Sequence, residues 1–406
     1  MKVAVVGAGW AGLAAAVDLT RRGAAVTLYE AGRVAGGRGR SVNIDGRTLD
    51  NGQHLLLGAY RETLALMRSV GADPDALFER HPLQVVDRDG FRLALPSWPA
   101  PLNVAWGLLT AATVDLPEKL KTALWMQRVK WRGFRLRRDE SVADWLDAAG
   151  QTGVLRRKLW EPLCLAALNT PAERASAQLF ANVLRDSLGS PRRADTDLLL
   201  PRVPFGELLP EPACRWLAAH GATLRFGHRV RSVADTCVDG EAHDAVVIAV
   251  APQHLQALLP EADACFEYEP IVTVYLQFSA KTRLDFPLLH LGGTTGAWAI
   301  DRGNGLFGCA ISGHGDWDAW SDAALAASME TALGLGPAQS QQVIREKRAT
   351  FSCRPEQARP NWRTPDPRLI LAGDYTWADY PATLEGAVRS GRRAAATVLQ
   401  SASLPA

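Results

Sequence analysis

The sequence predicts an α/β protein made of two interleaved parts: a Rossmann-type dinucleotide-binding domain gathered from distant stretches of the chain, and an α+β domain threaded between them. Three observations carry this expectation. The chain opens on a strand, a glycine turn, a helix and a second strand. It closes on a strand that ends in Gly373-Asp374 and leads into a small-residue helix. Between them, residues 245–250 form a fully apolar run stopped by Pro252, as a parallel strand buried on both faces reads.

The opening unit is the most explicit. Residues 2–6 are a short apolar strand, residues 10–22 have helical apolar spacing ended by Gly23, and residues 25–29 are the next strand. The turn reads Gly7-Ala8-Gly9-Trp10-Ala11-Gly12. Gly7 allows a tight turn, Gly9 lets backbone approach a pyrophosphate, and Gly12 lets helix and strand pack closely. The helix N-terminus presents free N–H groups and the positive end of its dipole to phosphate. Glu30, with Ala31 beside it, closes the second strand where an acid binds ribose hydroxyls. Next, Gly36-Gly37 provides a backbone able to pass over a dinucleotide, and Arg38 can pair with its diphosphate.

Residues 61–70 read as a helix closed by Gly71. Residues 93–114 hold no charge, but Pro96, Pro99, Pro101 and Asn103 argue against one membrane-spanning helix. Helices are expected over 116–136, 141–149, 153–167 and 175–188, and strands over 223–226, 230–233, 267–278, 297–300, 306–312 and 343–352. A helix over 323–333 interrupts the last two, and Gly292 to Gly296 is a turn. After the strand 369–372 and Asp374, the segment Thr383-Leu384-Glu385-Gly386-Ala387 starts the closing helix. Asp374 can accept hydrogen bonds from a polyol chain, and the helix N-terminus can stabilise negative charge on a reduced ring. The division that follows is 1–60, 200–265 and 360–406 for the nucleotide domain, and 61–199 with 266–359 for a substrate domain.

At 406 residues the chain suits two domains, and a net charge of +2 gives no basis for nucleic-acid binding. Six scattered cysteines without a CxxC pair read as reduced thiols of a cytoplasmic protein. The eight histidines show no metal-ligand spacing, so no metal is expected. No signal peptide is evident. The thirteen tryptophans include Trp98, Trp106, Trp125 and Trp131, with Lys119, Lys121, Arg128 and Lys130 nearby. This stretch is either a patch lying on a membrane surface or a buried helical cap over a cavity.

Together the three glycine-containing boxes resemble the FAD-binding family of amine oxidases, protoporphyrinogen oxidase and carotenoid desaturases. That resemblance implies FAD as cofactor, bound non-covalently because no attachment cysteine lies near Gly373 or Glu385. It also implies adenine contact near Val230. A closer similarity lies between the boxes. Leu49 to Tyr60, containing Gly52, Gln53 and His54, is similar to the loop that passes the flavin in hydroxysqualene dehydroxylases. Trp160 to Thr170 and Leu198 to Arg202 look like the same group.

The resemblance implies reduction of hydroxysqualene to squalene with loss of water, in squalene and hopanoid biosynthesis. The partners implied are a hydrophobic triterpenoid substrate, an electron donor of unknown identity, the enzyme that makes hydroxysqualene, and the inner face of the cytoplasmic membrane. The reaction needs an acid. His54 titrates near neutrality and sits by the flavin loop, unless it only hydrogen-bonds there. Glu161 lies in an apolar segment that raises its pKa, unless it pairs with Arg156, Arg157 or Lys158. Asp50 and Tyr380 stay open as acids. Polyene desaturation, amine oxidation and a flavin-free prenyl-escort role are the alternatives on this scaffold.

Overall fold

The computed structural model describes residues 1–262 and 264–402. A five-stranded parallel sheet runs in the spatial order Thr223–Phe226, Ala25–Glu30, Lys2–Val6, Ala245–Ile248, Leu369–Leu371. In chain order this is 3-2-1-4-5, which reverses direction beside the first strand and leaves a crevice at the carboxyl ends there. Val3 pairs with Ala245 and Val26 on its two sides. Val3, Ala4 and Val5 are wholly buried, because both faces of the sheet are covered.

One face carries the helices Trp10–Arg21 and Leu384–Ala402. They touch backbone to backbone: a Cβ on Gly391 would lie 2.1 Å from the Ala11 carbonyl oxygen. Helix Arg61–Ser69 joins this layer through Leu64, Leu66 and Met67. On the other face, Ala4, Val6, Tyr29 and Ile248 pack with Val230, Val238 and Leu255.

The second body has a five-stranded sheet in the order Leu288–His290, Trp298–Asp301, Leu306–Ser312, Tyr268–Gln277, Ser340–Phe351, all antiparallel. Helix Asp322–Leu333 buries Leu325 and Met329 against Val272, Val274 and Leu276. Helices Leu102–Leu109, Leu116–Trp131, Val142–Ala148, Glu161–Leu168 and Ala177–Asp186 make a cap.

Three expectations change. The strand expected over 230–233 shrinks to Val233–Ala234, because the Asp239 carboxylate takes the N–H groups of Arg231 and Ser232, both at 2.9 Å, in place of a strand partner. The helix expected over 116–136 stops at Trp131, where Gly133 and Phe134 adopt positive φ. The helix expected over 153–167 begins with a π-helical turn, Arg156–Trp160. Pro162 has no N–H to give the carbonyl four residues back, so the turn widens instead of breaking.

Candidate functional site

The crevice at the carboxyl ends of the parallel strands is lined by the glycine turns. Gly7 has φ of 104°, and a Cβ there would strike the Ala249 carbonyl oxygen at 2.6 Å. A Cβ on Gly12 would lie 1.9 Å from the Gly7 oxygen, so this glycine is what lets the helix start so close to the strand. Gly9 differs, since a Cβ on it would meet nothing within 4 Å. Gly36 bridges Gly9 in parallel fashion and its N–H donates to the Ala8 carbonyl at 2.8 Å. Gly37 adds a second layer, with its Cβ position 3.2 Å from the Gly9 Cα. Helix Trp10–Arg21 starts at Gly9 with no side-chain cap and no acid in its first turn. Two stacked glycine turns, one facing open space, and an uncapped helix end are the parts a diphosphate needs.

Around this platform the other expected residues converge. Glu30 folds back on the turn, accepting the Ala8 N–H at 2.8 Å and the Gly32 N–H at 2.7 Å. Ala31 is exposed beside it. Trp10 donates its indole N–H to the Gly39 carbonyl at 2.8 Å. Arg38 reaches across 336 positions of sequence to Asp374, with Nη2 to Oδ2 at 2.6 Å, and also donates to the Ala349 carbonyl at 2.8 Å. Arg38 is therefore already engaged with the C-terminal box. Gly373 gives its N–H to the Ser390 hydroxyl at 2.9 Å. Thr383 takes the Gly386 N–H at 3.1 Å and so caps the closing helix, while Leu384 packs over Gly39.

The loop of Gly52, Gln53 and His54 lies against the antiparallel sheet. The Gln53 N–H donates to the Thr273 hydroxyl at 3.1 Å, and its side-chain carbonyl is buried over Gly308 without a hydrogen-bond partner. The His54 ring packs on Phe205 at 4.7 Å, and Phe205 packs on Trp10 at 5.9 Å. Thr273 and Phe205 have no motif that marks them in the sequence. Asn169 would have been findable as an asparagine ending an apolar helix in left-handed conformation. Its side chain ties the cap to the sheet through the Thr350 hydroxyl at 3.0 Å and the Pro270 carbonyl at 3.2 Å.

Three expectations are corrected here. Glu385 is wholly buried and turned away from the crevice. Its carboxylate accepts the N–H groups of Glu62 at 3.1 Å and Thr63 at 3.0 Å, and pairs with Arg389 at 2.8 Å. It caps helix Arg61–Ser69, which has no side-chain cap of its own. Glu161 sits in an ion pair with Arg156 at 2.7 Å, itself paired with Asp147, so it is a helix-surface group and not an isolated acid. His54 does not titrate near neutrality. Burial first, and then the Arg38 charge, push its pKa down to about 4, against a hydrogen bond to the Arg38 main chain that acts the other way. Val230 lies in the loop between Phe226 and Val233 and is buried. Of the two further acids, burial raises the Asp50 carboxyl, though Arg302 stands 3.1 Å away. Tyr380 donates its hydroxyl to Asp186 and its pKa is driven up, by burial above all.

Comparison with known proteins agrees with this geometry. Residues 10–399 match the family of flavin-containing amine oxidoreductases. A hydroxysqualene dehydroxylase of Sinorhizobium fredii is 31% identical, with 97% of each chain covered. One of Rhodopseudomonas palustris is also 31% identical, with 98% of each covered. The cyclohexylamine oxidase of Brevibacterium oxydans has the same fold, with a TM-score of 0.68 at 18% identity and 99% of both chains covered. The glycine platform, the Arg38–Asp374 tie and the full-length match agree that this chain belongs to the flavin-containing amine oxidoreductase family.

Proposed function

We propose that this flavin-dependent oxidoreductase is a hydroxysqualene dehydroxylase: hydroxysqualene and reduced FAD give squalene, FAD and water. The observation that carries the reading is the 31% identity to two enzymes of that name over nearly the whole length of both chains, the substrate half included. The C–O bond breaks, a proton joins the departing oxygen as water, and a hydride takes its place on carbon. Reduced flavin, when bound, supplies that hydride. In this reading segments 1–60, 200–265 and 360–406 hold FAD non-covalently, and 61–199 with 266–359 hold the substrate. Gly7, Ala8, Gly9, Ala11 and Gly12 carry the diphosphate, Glu30 the ribose, Val230 the adenine side, and Asp374 with Thr383 and Ala387 the ring half.

The protein's tasks are to position the allylic carbon roughly 3–3.5 Å from the hydride donor and to exclude water that would recapture the allylic cation left when the C–O bond breaks. His54, held neutral and packed at a tilt against Phe205, orients the flavin loop and does not serve as a stored proton. The electrons come from a separate donor, and the substrate from an enzyme that forms an allylic triterpene alcohol. The site of action is the inner face of the cytoplasmic membrane.

The test is a single anaerobic turnover of dithionite-reduced enzyme with hydroxysqualene, followed by mass spectrometry, with a companion run in deuterated solvent. The expected product has lost its oxygen and keeps its number of double bonds, and in the deuterated-solvent run it carries deuterium at the former carbinol carbon. Added double bonds, or no label at that carbon in the deuterated-solvent run, would overturn the reading. Acid precipitation of the same preparation should leave all the flavin in the supernatant.

A further inference from the structure

Twelve large apolar side chains stand exposed among the described residues, and eight of them fall between Trp98 and Trp131. They sit on the neighbouring helices Leu102–Leu109 and Leu116–Trp131 and on the loop before them. The first helix is inverted relative to a water-facing helix, and the second is apolar on its outer face as well as its inner one. In the first, Asn103 and Gly107 are buried, while Leu102, Trp106 and Leu109 point outward one helical turn apart. In the second, Thr122, Trp125 and Val129 face in. Leu116, Leu120, Leu124 and Trp131, exposed by 56%, 56%, 60% and 78%, make an outer stripe of about 22 Å at the helical rise.

Charge accompanies the stripe. Residues 115–138 hold eight Lys and Arg against two acids, in a chain whose net charge is only +2. Both acids are committed elsewhere. Asp115 caps its own helix by accepting the Glu118 N–H at 2.8 Å, and Glu118 accepts the N–H groups of Val154 at 3.0 Å and Leu155 at 2.6 Å. Lys121, Arg128 and Lys130 are exposed beside the apolar stripe. A cavity of about 370 Å³ lined by Arg92, Leu95, Pro96, Trp106 and Thr110 opens on the same face, beside the Trp98–Trp106 ring pair at 5.0 Å. Among the described residues no helix is long and apolar enough to cross a membrane.

We propose that these two helices are a monotopic foot that lays its leucines and tryptophans into one leaflet of an anionic lipid bilayer. Lys121, Arg128 and Lys130 meet the headgroups, and the Arg92–Trp106 groove opens at the acyl level. The apolar stripe fits the hydrocarbon boundary and the basic flank fits negative headgroups, a pairing that neither a buried cap nor a neutral partner requires. The proposal deepens the membrane location given above and supplies its contact surface.

The test is co-sedimentation of the flavin-loaded protein with vesicles of phosphatidylcholine alone or mixed with phosphatidylglycerol, alongside tryptophan emission. Two double variants accompany it, Leu120→Ser with Leu124→Ser and Lys121→Glu with Arg128→Glu. These positions are solvent-exposed, so equal flavin content and melting temperature establish that the variants are folded. The wild type should bind mixed vesicles with a blue-shifted emission. Each double variant should lose at least about tenfold in apparent affinity, and salt should weaken binding. Turnover of detergent-dispersed substrate should be unchanged. Failure of the wild type to bind overturns the proposal, as does equal binding by the variants. A dimer that the leucine variant dissociates, in place of vesicle binding, overturns it too and assigns the face to a second copy. Vesicle binding is read without substrate, and turnover without vesicles, so failure of one reading leaves the other standing.

Discussion

Glu385→Ala should unfold the protein more easily without acting on flavin as such. The carboxylate has no exposed surface. It receives Glu62 N–H at 3.1 Å, Thr63 N–H at 3.0 Å, the Thr63 hydroxyl at 2.8 Å and Arg389 at 2.8 Å. Removing it leaves the buried Thr63 N–H and the half-buried Glu62 N–H without an acceptor, and leaves Arg389 with Asp186 at 3.8 Å and the Tyr380 ring at 4.5 Å. Breaking a buried pair of this kind costs about 3–5 kcal/mol, a large share of the roughly 5–15 kcal/mol that typically holds a protein folded. Glu385→Gln keeps one acceptor oxygen and should cost less, about 1–3 kcal/mol. The assay is urea unfolding followed by intrinsic fluorescence, with flavin content measured per folded molecule. The alanine variant should shift the midpoint strongly while its folded fraction still carries flavin. A variant with wild-type unfolding and a flavin dissociation constant raised tenfold would place the carboxylate at the cofactor and refute the reasoning.

Gly12→Ala should yield insoluble protein, because its methyl would lie 1.9 Å from the Gly7 oxygen, whereas Gly9→Ala, with nothing within 4 Å, should fold and lose flavin; gel filtration with absorbance at the flavin band separates the two outcomes. Arg38→Ala removes a 2.6 Å pair to Asp374 and should weaken flavin retention by about 1.5–3 kcal/mol. Adding Asp374→Asn should cost less than the sum of the single changes, since the two share one contact; full flavin occupancy in both single variants would contradict the tie. For His54, the folded pKa of about 4 lies below the ordinary imidazole value of 6.5. Its contribution to stability is therefore complete above pH 6.5 and is lost as pH falls through 4. The amount is up to about 3 kcal/mol from the size of the shift. His54→Gln should flatten that limb in acid unfolding curves, and an unchanged limb would show that other groups cause it.

The fold was legible where local chemistry has one outcome. Residues Lys2 to Glu30 leave no alternative once Gly7, Gly9 and Gly12 follow an apolar strand, and the structure has that unit in place. Two hairpins carry a local signal as well. Asp45-Gly46 and Asp239-Gly240 each join two strands through a two-residue loop with both φ values positive, the arrangement that Asp-Gly favours. Where side chains choose between partners, the sequence is silent. Glu385 lies in a flavin-type motif, and only the tertiary structure shows its carboxylate turned to helix Arg61–Ser69. Glu161 stands in an apolar run, yet Arg156 is one helical turn away. His54 has an ordinary imidazole until Phe205 and the Arg38 charge surround it.

These misplacements have a common physical origin, and it affects how variants of this protein should be read. The crevice is assembled from distant segments that long-range polar contacts tie together. Arg38 ties to Asp374 across 336 positions, Glu385 to Thr63 across 322, and Gln53 to Thr273 across 220. A buried charge or amide in such a tie must be satisfied, or its desolvation works against folding. The groups nearest the glycine platform are therefore structural and cofactor-directed at once. Loss of bound flavin in a variant is not by itself evidence of a lost flavin contact, because a broken tie opens the crevice and releases the ligand too. The measurement that separates the cases is flavin affinity per folded molecule beside unfolding free energy. A true cofactor contact such as the one proposed for Gly9 moves the first and spares the second. A tie such as Glu385 lowers the second, and flavin is lost only with the fold.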